Sequence, residues 1–282
     1  MEVKHGERGL RQSTAVFQHI QNMACLIKKI KKTVSLKNTL AISASIKPRP
    51  LEESYMPVFK VGEKHGQAFS GLLDIPFYST THQEGHLWAA LYPFEVKPEK
   101  FLALHISGGT TELLKVTRHN NNFEIAKIGG SSDLPLGQFI DRIGVKMGLP
   151  FPSGPYLEEL ALKSVHPLDI PVSVKGCQVS YSGPLTFAER QLDKGYKPEE
   201  LARGIETAIS KSLLYILKAA IKQTDLSTVV LIGGVASNRF IKNYMLSSFK
   251  DGKLIFTSPE LSRDNAVGVS YYGWCRYFKI YS

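Results

Sequence analysis

Two apolar runs, Phe101–Ile106 and Val229–Ile232, each lead into a pair of glycines, Gly108-Gly109 and Gly233-Gly234, and this constrains the fold more than any other feature of the chain. An extended apolar run that ends in glycine reads as a buried strand feeding a tight turn. Beyond Ser107-Gly108-Gly109-Thr110 the chain resumes as a second strand, Thr111–Val116, and the polar run His119–Asn122 makes the next turn. That order is a hairpin, not the strand-to-helix turn of a P-loop. Beyond Gly233-Gly234 and Ser237-Asn238 comes an amphipathic stretch, Phe240–Phe249, so here the order is strand, glycines, helix. Either glycine pair lets backbone amides approach a phosphate, and either is equally compatible with an ordinary tight turn or close strand–helix packing.

The same part of the chain mixes further helices and strands. Gln138–Met147 and Tyr156–Lys163 have helical periodicity, separated by the Gly/Pro-rich stretch Gly148–Pro155, and Pro198–Lys222 carries a long helical apolar period. Leu254–Thr257 reads as a last strand and Asp264–Tyr277 as a last helix, with Asp264 near its start as a cap. Earlier, Ser13–Ile30 places Val16, Ile20, Met23, Ile27 and Ile30 on one helical face, and Lys28, Lys29, Lys31 and Lys32 load its last turn. Leu40–Ile46 is a short strand stopped by Pro48 and Pro50, Ile75–Ser79 resembles a second, and His82–Ala90 is helical. Pro93 and the charged stretch Glu95–Lys100 mark a lobe boundary. The expected division is a first lobe over residues 1–97, a second over 98–263, and a helix over 264–282 that returns to the first.

At 282 residues with 43% hydrophobic side chains, the chain has material for a substantial core. Its formal charge of +10 favours a polyanionic partner such as nucleic acid, although a basic solvated surface has the same composition. Cys25, Cys177 and Cys275 are far apart and odd in number, with no C-x-x-C pair, which fits a reducing cytoplasm. The charged start, Met1–Gln12, has no apolar h-region, and no run of 18 or more uncharged apolar residues follows, so neither secretion nor a membrane span is expected.

His82 and His86 stand four residues apart in Thr-His-Gln-Glu-Gly-His, so on a helix both imidazoles share a face and can share a cation. Two ligands do not complete a site, and the pair alone is equally compatible with a capping and a packing histidine. Gln83 occupies the place where a zinc protease has its glutamate, which disfavours proteolysis. Asp141 and Asp264 are candidate carboxylates for ribose hydroxyls and for a metal shell, and each alone also reads as a cap or ion-pair partner.

Taken in order, these segments resemble the TsaD-type tRNA N6-adenosine threonylcarbamoyltransferase family, formerly described as O-sialoglycoprotein endopeptidases. In that family the histidines of H-x-E-G-H and the aspartate of a late T-D-N motif hold a divalent ion, which the resemblance places on His82, His86 and Asp264. The family's S-G-G-H-T-E-L turn lies against the adenylate phosphates and is similar to Ser107-Gly108-Gly109-Thr110-Thr111-Glu112-Leu113, with His105 and Ile106 leading in and Thr110 in place of histidine. Its A-F-D-K stretch and Gly/Pro-rich sequel resemble Phe139–Arg142 and Gly148–Pro155, carrying Asp141 and Gly154 over as nucleoside contacts, with Ser153 in place of one glycine. Its G-G-V-A-A-N segment resembles Gly233–Asn238 and assigns Asn238 to the nucleotide. The F-S-F-S-G-L-K-T-A stretch is changed most, since Leu185 stands where lysine is usual and a cationic contact is expected to be missing.

The resemblance implies an α/β, two-lobed actin-like ATPase (ASKHA) fold. Family members begin with a strand and a G-I-E-T-S-C-D-D-T turn, so a chain starting at Met1 is expected to lack the N-terminal strands of the first lobe, exposing a sheet edge. The implied activity is transfer of a threonylcarbamoyl group from threonylcarbamoyl-adenylate to N6 of the adenosine beside the anticodon in tRNA, the t6A modification. The implied cofactor is one divalent metal ion, Fe2+ with Zn2+ or Mg2+ as alternatives. Partners implied are tRNA, a smaller paralogous actin-like subunit and a P-loop ATPase. No residue is assigned as catalytic base. The missing start, Thr110 and Leu185 leave open a second reading, a non-catalytic paralogue that binds nucleotide or a partner subunit.

Overall fold

The computed structural model describes residues 11–95 and 97–280, so most of the charged start lies outside the described residues. The chain forms two compact units. The first comprises the described residues through Lys97, together with His119–Phe123 and the segment from Asn265 onward, and the second comprises Pro98–Arg118 and Glu124–Asp264. No helix among the described residues is long and apolar enough to cross a membrane.

The first unit opens with α1 (Gln12–Thr33), of whose apolar stripe Val16, Met23 and Ile27 are half-buried while Ile20 and Ile30 stay exposed. Strand β1 (Ile42–Ser45) leads to α2 (Pro57–Leu73), which starts with Pro57, a residue suited to a first turn whose amide has no intrahelical partner. Asp74 ends α2 in the left-handed region at φ 52°. Strand β2 (Phe77–Thr80) then pairs in parallel with β1, from Ile42 opposite Phe77 to Ser45 opposite Thr80. Helix α3 (His82–Leu91) follows at once, and every residue from Gly85 to Leu91 is buried, so this is a core helix rather than an amphipathic one.

The second unit is built on a seven-stranded sheet. Its strands are β3 (Lys100–Ile106), β4 (Thr111–His119), β5 (Asn122–Ser131), β6 (Ser173–Lys175), β7 (Gln178–Ser180), β8 (Thr228–Ile232) and β9 (Lys253–Phe256), in the order β6-β7-β5-β4-β3-β8-β9. Strands β3 and β4 form the antiparallel hairpin expected around the Ser107–Thr110 turn, while β8 lies parallel to β3 on its other side. Between strands run α4 (Leu136–Lys146), α5 (Gly154–Ala161), α6 (Ser182–Asp193), α7 (Pro198–Thr224) and α8 (Arg239–Ser248), and the short α9 (Pro259–Ser262) follows β9. Helix α7 supplies much of the core through Leu201, Ile205, Ile209, Leu213 and Leu217, a stripe at four-residue spacing with no exposed surface. Burial of each stabilises by about 2 kcal/mol before entropy is counted.

The last helix, α10 (Val267–Tyr277), belongs to the first unit and packs along α3. It starts three residues later than the expected helix, so Asp264 does not cap it. Instead the Asn265 Oδ1 accepts from the Val267 amide at 2.8 Å, and this local turn holds Asp264 outside the helix. Helices α3 and α10 meet backbone to backbone at Gly268, where a Cβ would sit 1.9 Å from the Gly85 carbonyl oxygen and 2.5 Å from the Ala89 amide nitrogen. Trp88 packs at the same crossing against Tyr271 and Tyr272, with centroids 5.8 and 6.3 Å away.

Candidate metal centre and nucleotide-binding turns

Helix α3 starts where it does because its first turn is satisfied from several directions. The His82 and Gln83 amides donate to the Lys47 and Pro48 carbonyls at 3.0 Å, just beyond β1. Thr81 forms a capping box with Glu84: the Glu84 amide donates to Thr81 Oγ1 at 3.2 Å, and the Thr81 amide donates to Glu84 Oε2 at 2.9 Å. Glu84 Oε2 also accepts from the hydroxyls of Thr80 and Thr81. The motif's glutamate is thereby committed to starting the helix.

With α3 anchored in this way, His82 and His86 bring their Nε2 atoms within 3.2 Å, with ring centroids 4.6 Å apart. His86 is buried and His82 half-buried, beside the Phe59 ring. Asn265 and Val269 close a cavity of about 20 Å³ with Ser45, His82, Gly85 and His86. That is room for one water or one small ion. Asp264 is joined by a peptide bond to Asn265, and its carboxylate lies so that donor atoms of His82, His86 and Asp264 all fall within 4.8 Å of one another. The donor set fits a divalent cation: with bonds of ~2.1 Å, two nitrogens 3.2 Å apart subtend about 100°, between tetrahedral and octahedral angles. The same separation also suits an N–H···N hydrogen bond between the two rings.

The nucleotide candidates all lie in the second unit. His105 and Ile106 are buried at the end of β3, paired with Glu112 and Thr111. The Ser107 amide donates to the Thr110 carbonyl at 2.8 Å and closes the turn, which leaves Gly108 and Gly109 exposed. Neither glycine has a neighbour within 4 Å of where a Cβ would lie, and neither has positive φ, so the chain's own packing does not require glycine at these positions. Start signals for α4 come from this same turn. The Leu136 amide donates to Thr111 Oγ1 at 2.7 Å, and the Gly137 amide donates to the Ser107 carbonyl at 3.2 Å. At the neighbouring strand end Gly233, at φ 94°, passes so close to β3 that a Cβ would meet the Ile106 carbonyl oxygen at 2.4 Å.

Asp141, on α4, accepts from the Ser153 amide at 2.8 Å, and burial pushes its carboxyl above the ordinary range against that hydrogen bond. It therefore ties α4 to the turn that begins α5 at Gly154, itself open to solvent on its Cβ side. Ser153 has no exposed surface, donates to the Pro150 carbonyl at 3.0 Å and packs against Gly144. Leu185 faces the core of the second unit, so the position where lysine is usual is an interior one in this chain.

Asn238 is the N-cap of α8: its Oδ1 accepts from the Ile241 amide at 2.8 Å, and its Nδ2 donates to Glu206 Oε1 at 2.7 Å. Glu158 of α5 accepts from the Arg239 amide at 2.8 Å. Two of the first amides of α8, those of Arg239 and Ile241, are thus taken up internally, and a 3-10 turn over Gly234–Ser237 separates the glycines from α8. What remains for a ligand at this turn is Gly234, open on its Cβ side, and the second hydrogen and lone pair of Asn238.

Three carboxylates that shape these turns were not singled out from the sequence. Glu206 is buried on α7, where it accepts from Asn238 and, at 2.7 Å, from Arg203 Nη1. Glu158 joins α5 to α8. Asp133 accepts from the Ser180 hydroxyl at 2.6 Å, the Tyr181 amide at 3.0 Å, the Ser182 amide at 3.2 Å and the Leu134 amide at 2.5 Å. Burial opposes the charge on Asp133, yet these donors together hold it well below the usual carboxylate range. A glutamate on the apolar phase of a long helix, as Glu206 is between Ala202 and Ile209, is the one signal that could have been read beforehand.

Comparison with known proteins bears on the same residues. Residues 9–271 match the family described as TsaD: tRNA N6-adenosine threonylcarbamoyltransferase. A tRNA N6-adenosine threonylcarbamoyltransferase from Thermus thermophilus is 34% identical over 75% of this chain and 64% of its own length. The Archaeoglobus fulgidus protein of that description is 26% identical over 96% of this chain and 81% of its own. A probable bifunctional tRNA threonylcarbamoyladenosine biosynthesis protein from Methanothermobacter thermautotrophicus is 30% identical over 71% of this chain, which spans only 37% of it. Among solved structures, HypF from T. kodakarensis superposes with a TM-score of 0.62 at 14% identity, over 92% of this chain and 43% of its own. Full-length HypF in its phosphate- and nucleotide-bound form gives 0.57 at 12%, over 85% and 46%. The α/β architecture is the actin-like one that the resemblance implied. Its relatives are acyl-group transferases that serve t6A modification of tRNA, and the chain belongs to this TsaD family of tRNA N6-adenosine threonylcarbamoyltransferases.

Proposed function

We propose that this chain transfers the threonylcarbamoyl group of threonylcarbamoyl-adenylate to N6 of the adenosine beside the anticodon in tRNAs that read codons beginning with A. In that transfer the N6 lone pair attacks the carbamoyl carbonyl, the bond from that carbon to the phosphate oxygen breaks, AMP leaves with the bonding pair, and N6 gives up one proton. The convergence of donors from His82, His86 and Asp264 carries the reading, because three such ligands from two distant stretches of chain have no equivalent role as caps.

His82, His86 and Asp264 hold the divalent cation, Fe2+ before Zn2+ or Mg2+. Bound there, it supplies Lewis-acid polarisation of an acyl oxygen. The amides of the Ser107–Thr110 turn approach the phosphate of the adenylate, helped by His105 and Ile106, which hold the end of β3 in place. Asp141 and Gly154 contact the nucleoside, with the carboxylate suited to ribose hydroxyls, and Asn238 uses its remaining hydrogen-bonding capacity on the nucleotide. Basic surface docks the tRNA, in keeping with the charge of +10. A smaller paralogous actin-like subunit and a P-loop ATPase are the proposed protein partners, and the three cysteines, all free, suit a reducing cytoplasm.

The test is a mass gain of one threonylcarbamoyl group on tRNA, measured with the metal-loaded chain, synthetic adenylate and partner proteins. Parent protein gives the gain, and His82→Ala and His86→Ala lose both metal and gain. Full metal occupancy and adenylate binding with no modified tRNA would refute the transfer.

A further inference from the structure

The side chain of Asn238 can cap α8 in only one of its two flipped orientations, because the Ile241 amide is a donor and requires Oδ1. That orientation sends Nδ2 toward α7, where it meets Glu206 Oε1 at 2.7 Å. The other carboxylate oxygen accepts from Arg203 Nη1 at 2.7 Å, and Arg203 in turn is held by the Ala161 carbonyl at 3.1 Å and lies 4.0 Å above the Phe240 ring. Glu206 is 1% exposed, so no solvent competes for either oxygen.

We propose that Glu206 is a positioning residue for the nucleotide: its buried carboxylate locks the Asn238 amide in the orientation that leaves one N–H and one lone pair aimed at the ligand. The inference rests on the reading of Asn238 as a nucleotide contact. It extends that reading, because both partners that face Glu206 are donors and the lock is therefore strongest while the carboxylate is ionised. A proton on either oxygen removes the negative charge that strengthens both bonds and weakens the hold on Asn238 Nδ2 and on Arg203. The amide cannot compensate by flipping, because that would bring two donors together at the Ile241 amide and lose the cap.

The charged groups around Glu206 come from three elements. Arg203 is on its own helix, Glu158 on α5, and Arg239 on α8, where it is paired with Glu158 at 3.5 Å. Burial raises the Glu206 carboxyl to about 7, against the lowering by Asn238 and Arg203 and with a further push from Glu158. Protonation of the lock therefore falls in the neutral range. Two consequences have opposite signs. A carboxyl raised above its unfolded value contributes stability that is present at low pH and lost as pH rises through about 7. Nucleotide affinity, which is highest with the ionised form, grows over the same interval.

The probe is AMP, titrated calorimetrically into the full chain between pH 5.5 and 8.5 alongside thermal melts. Affinity of the parent protein is expected to rise through an inflection near pH 7 while its melting temperature falls. Glu206→Gln, which keeps the shape but presents a donor, is expected to bind about tenfold more weakly at pH 8 and to show no inflection. Arg203→Met removes the cation that favours ionisation and is expected to move the inflection to higher pH, which keeps the test decisive should Glu206→Gln fail to fold. An affinity profile that Glu206→Gln leaves unchanged, or an inflection that Arg203→Met leaves in place, overturns the proposal. Asn238→Ala tests the underlying reading separately: full AMP affinity in that variant would show that Asn238 does not touch the nucleotide, whatever Glu206 does.

Discussion

Replacing Gly268 with alanine is expected to damage the proposed metal centre without touching a proposed ligand. The added Cβ would lie 1.9 Å from the Gly85 carbonyl oxygen and 2.5 Å from the Ala89 amide nitrogen, about 1.5 Å inside ordinary contact at the tighter point. Both obstacles are backbone of a buried helix, so α10 must retreat from α3 rather than a side chain rotate away. Overpacking of this kind costs about 3 kcal/mol, and a chain of this size should melt on the order of 5 °C lower. The retreat carries Asn265 and Asp264 with it. Donors of one ion lie at most about 4.2 Å apart when bonds are ~2.1 Å. The three donors lie within 4.8 Å of one another, slightly beyond that span, and a further ~1.5 Å takes them well outside it. Metal content by mass spectrometry and Fe2+ affinity by anaerobic calorimetry are the assays, and affinity should fall at least about tenfold. Gly71→Ala is the control of opposite sign. It has no neighbour within 4 Å in the exposed last turns of α2 and should stabilise by roughly 0.5–1 kcal/mol with metal unchanged. A Gly268→Ala protein that melts within a degree of the parent and keeps its metal would refute the argument.

Other expectations follow from single contacts. Gly109→Ala should melt like the parent, since its Cβ meets nothing, yet bind AMP about tenfold more weakly because the methyl stands where the phosphate approaches; unchanged affinity would remove the turn from the site. Thr81→Ala breaks the capping box of α3 and should cost about 1 kcal/mol in urea unfolding, with metal affinity lowered as the His82 turn frays. Asp133→Asn should cost about 1–2 kcal/mol at pH 7 by weakening its hydrogen bonds to the start of α6. Because the folded carboxyl of Asp133 is depressed, its contribution is present above the unfolded value near 4 and is lost as pH falls further. The difference between parent and Asp133→Asn should therefore shrink in acid melts, and a constant difference would contradict the assignment.

Much of this architecture is legible in the amino-acid order where periodicity is strong. Helix α7 declares itself by a four-residue apolar repeat over many turns, and the β3–β4 hairpin by two apolar runs around four small or polar residues. Helix α2 does not, because Gly62, Gly66 and Gly71 lower its propensity and it is held instead by packing on α1 and β1. Strands β6 and β7 have three residues each, too short to show alternation. The histidine pair on α3 could be read from spacing, whereas the place of Asp264 could not. Its position depends on the Asn265 turn and on how closely α10 seats against Gly85. Asn238 could be named from its motif, but its bond to Glu206 joins residues 32 positions apart and has no local signal.

The glycines separate what folding demands from what it does not. At Gly268 and Gly233 a side chain would strike backbone, so folding alone accounts for them and they say nothing about a ligand. At Gly71, Gly108, Gly109, Gly154, Gly183 and Gly234 a side chain would meet open space in ordinary backbone conformations, and folding gives no reason for the missing Cβ. Glycine costs about 0.5–1 kcal/mol relative to alanine when its freedom is not needed. Gly154 stands at the first position of α5, beside the turn tied by Asp141, and Gly108 and Gly109 crown the turn that starts α4. Of these six, all but Gly71 stand at strand ends or helix starts of the second unit, where the missing side chain leaves the backbone open to close approach by a ligand.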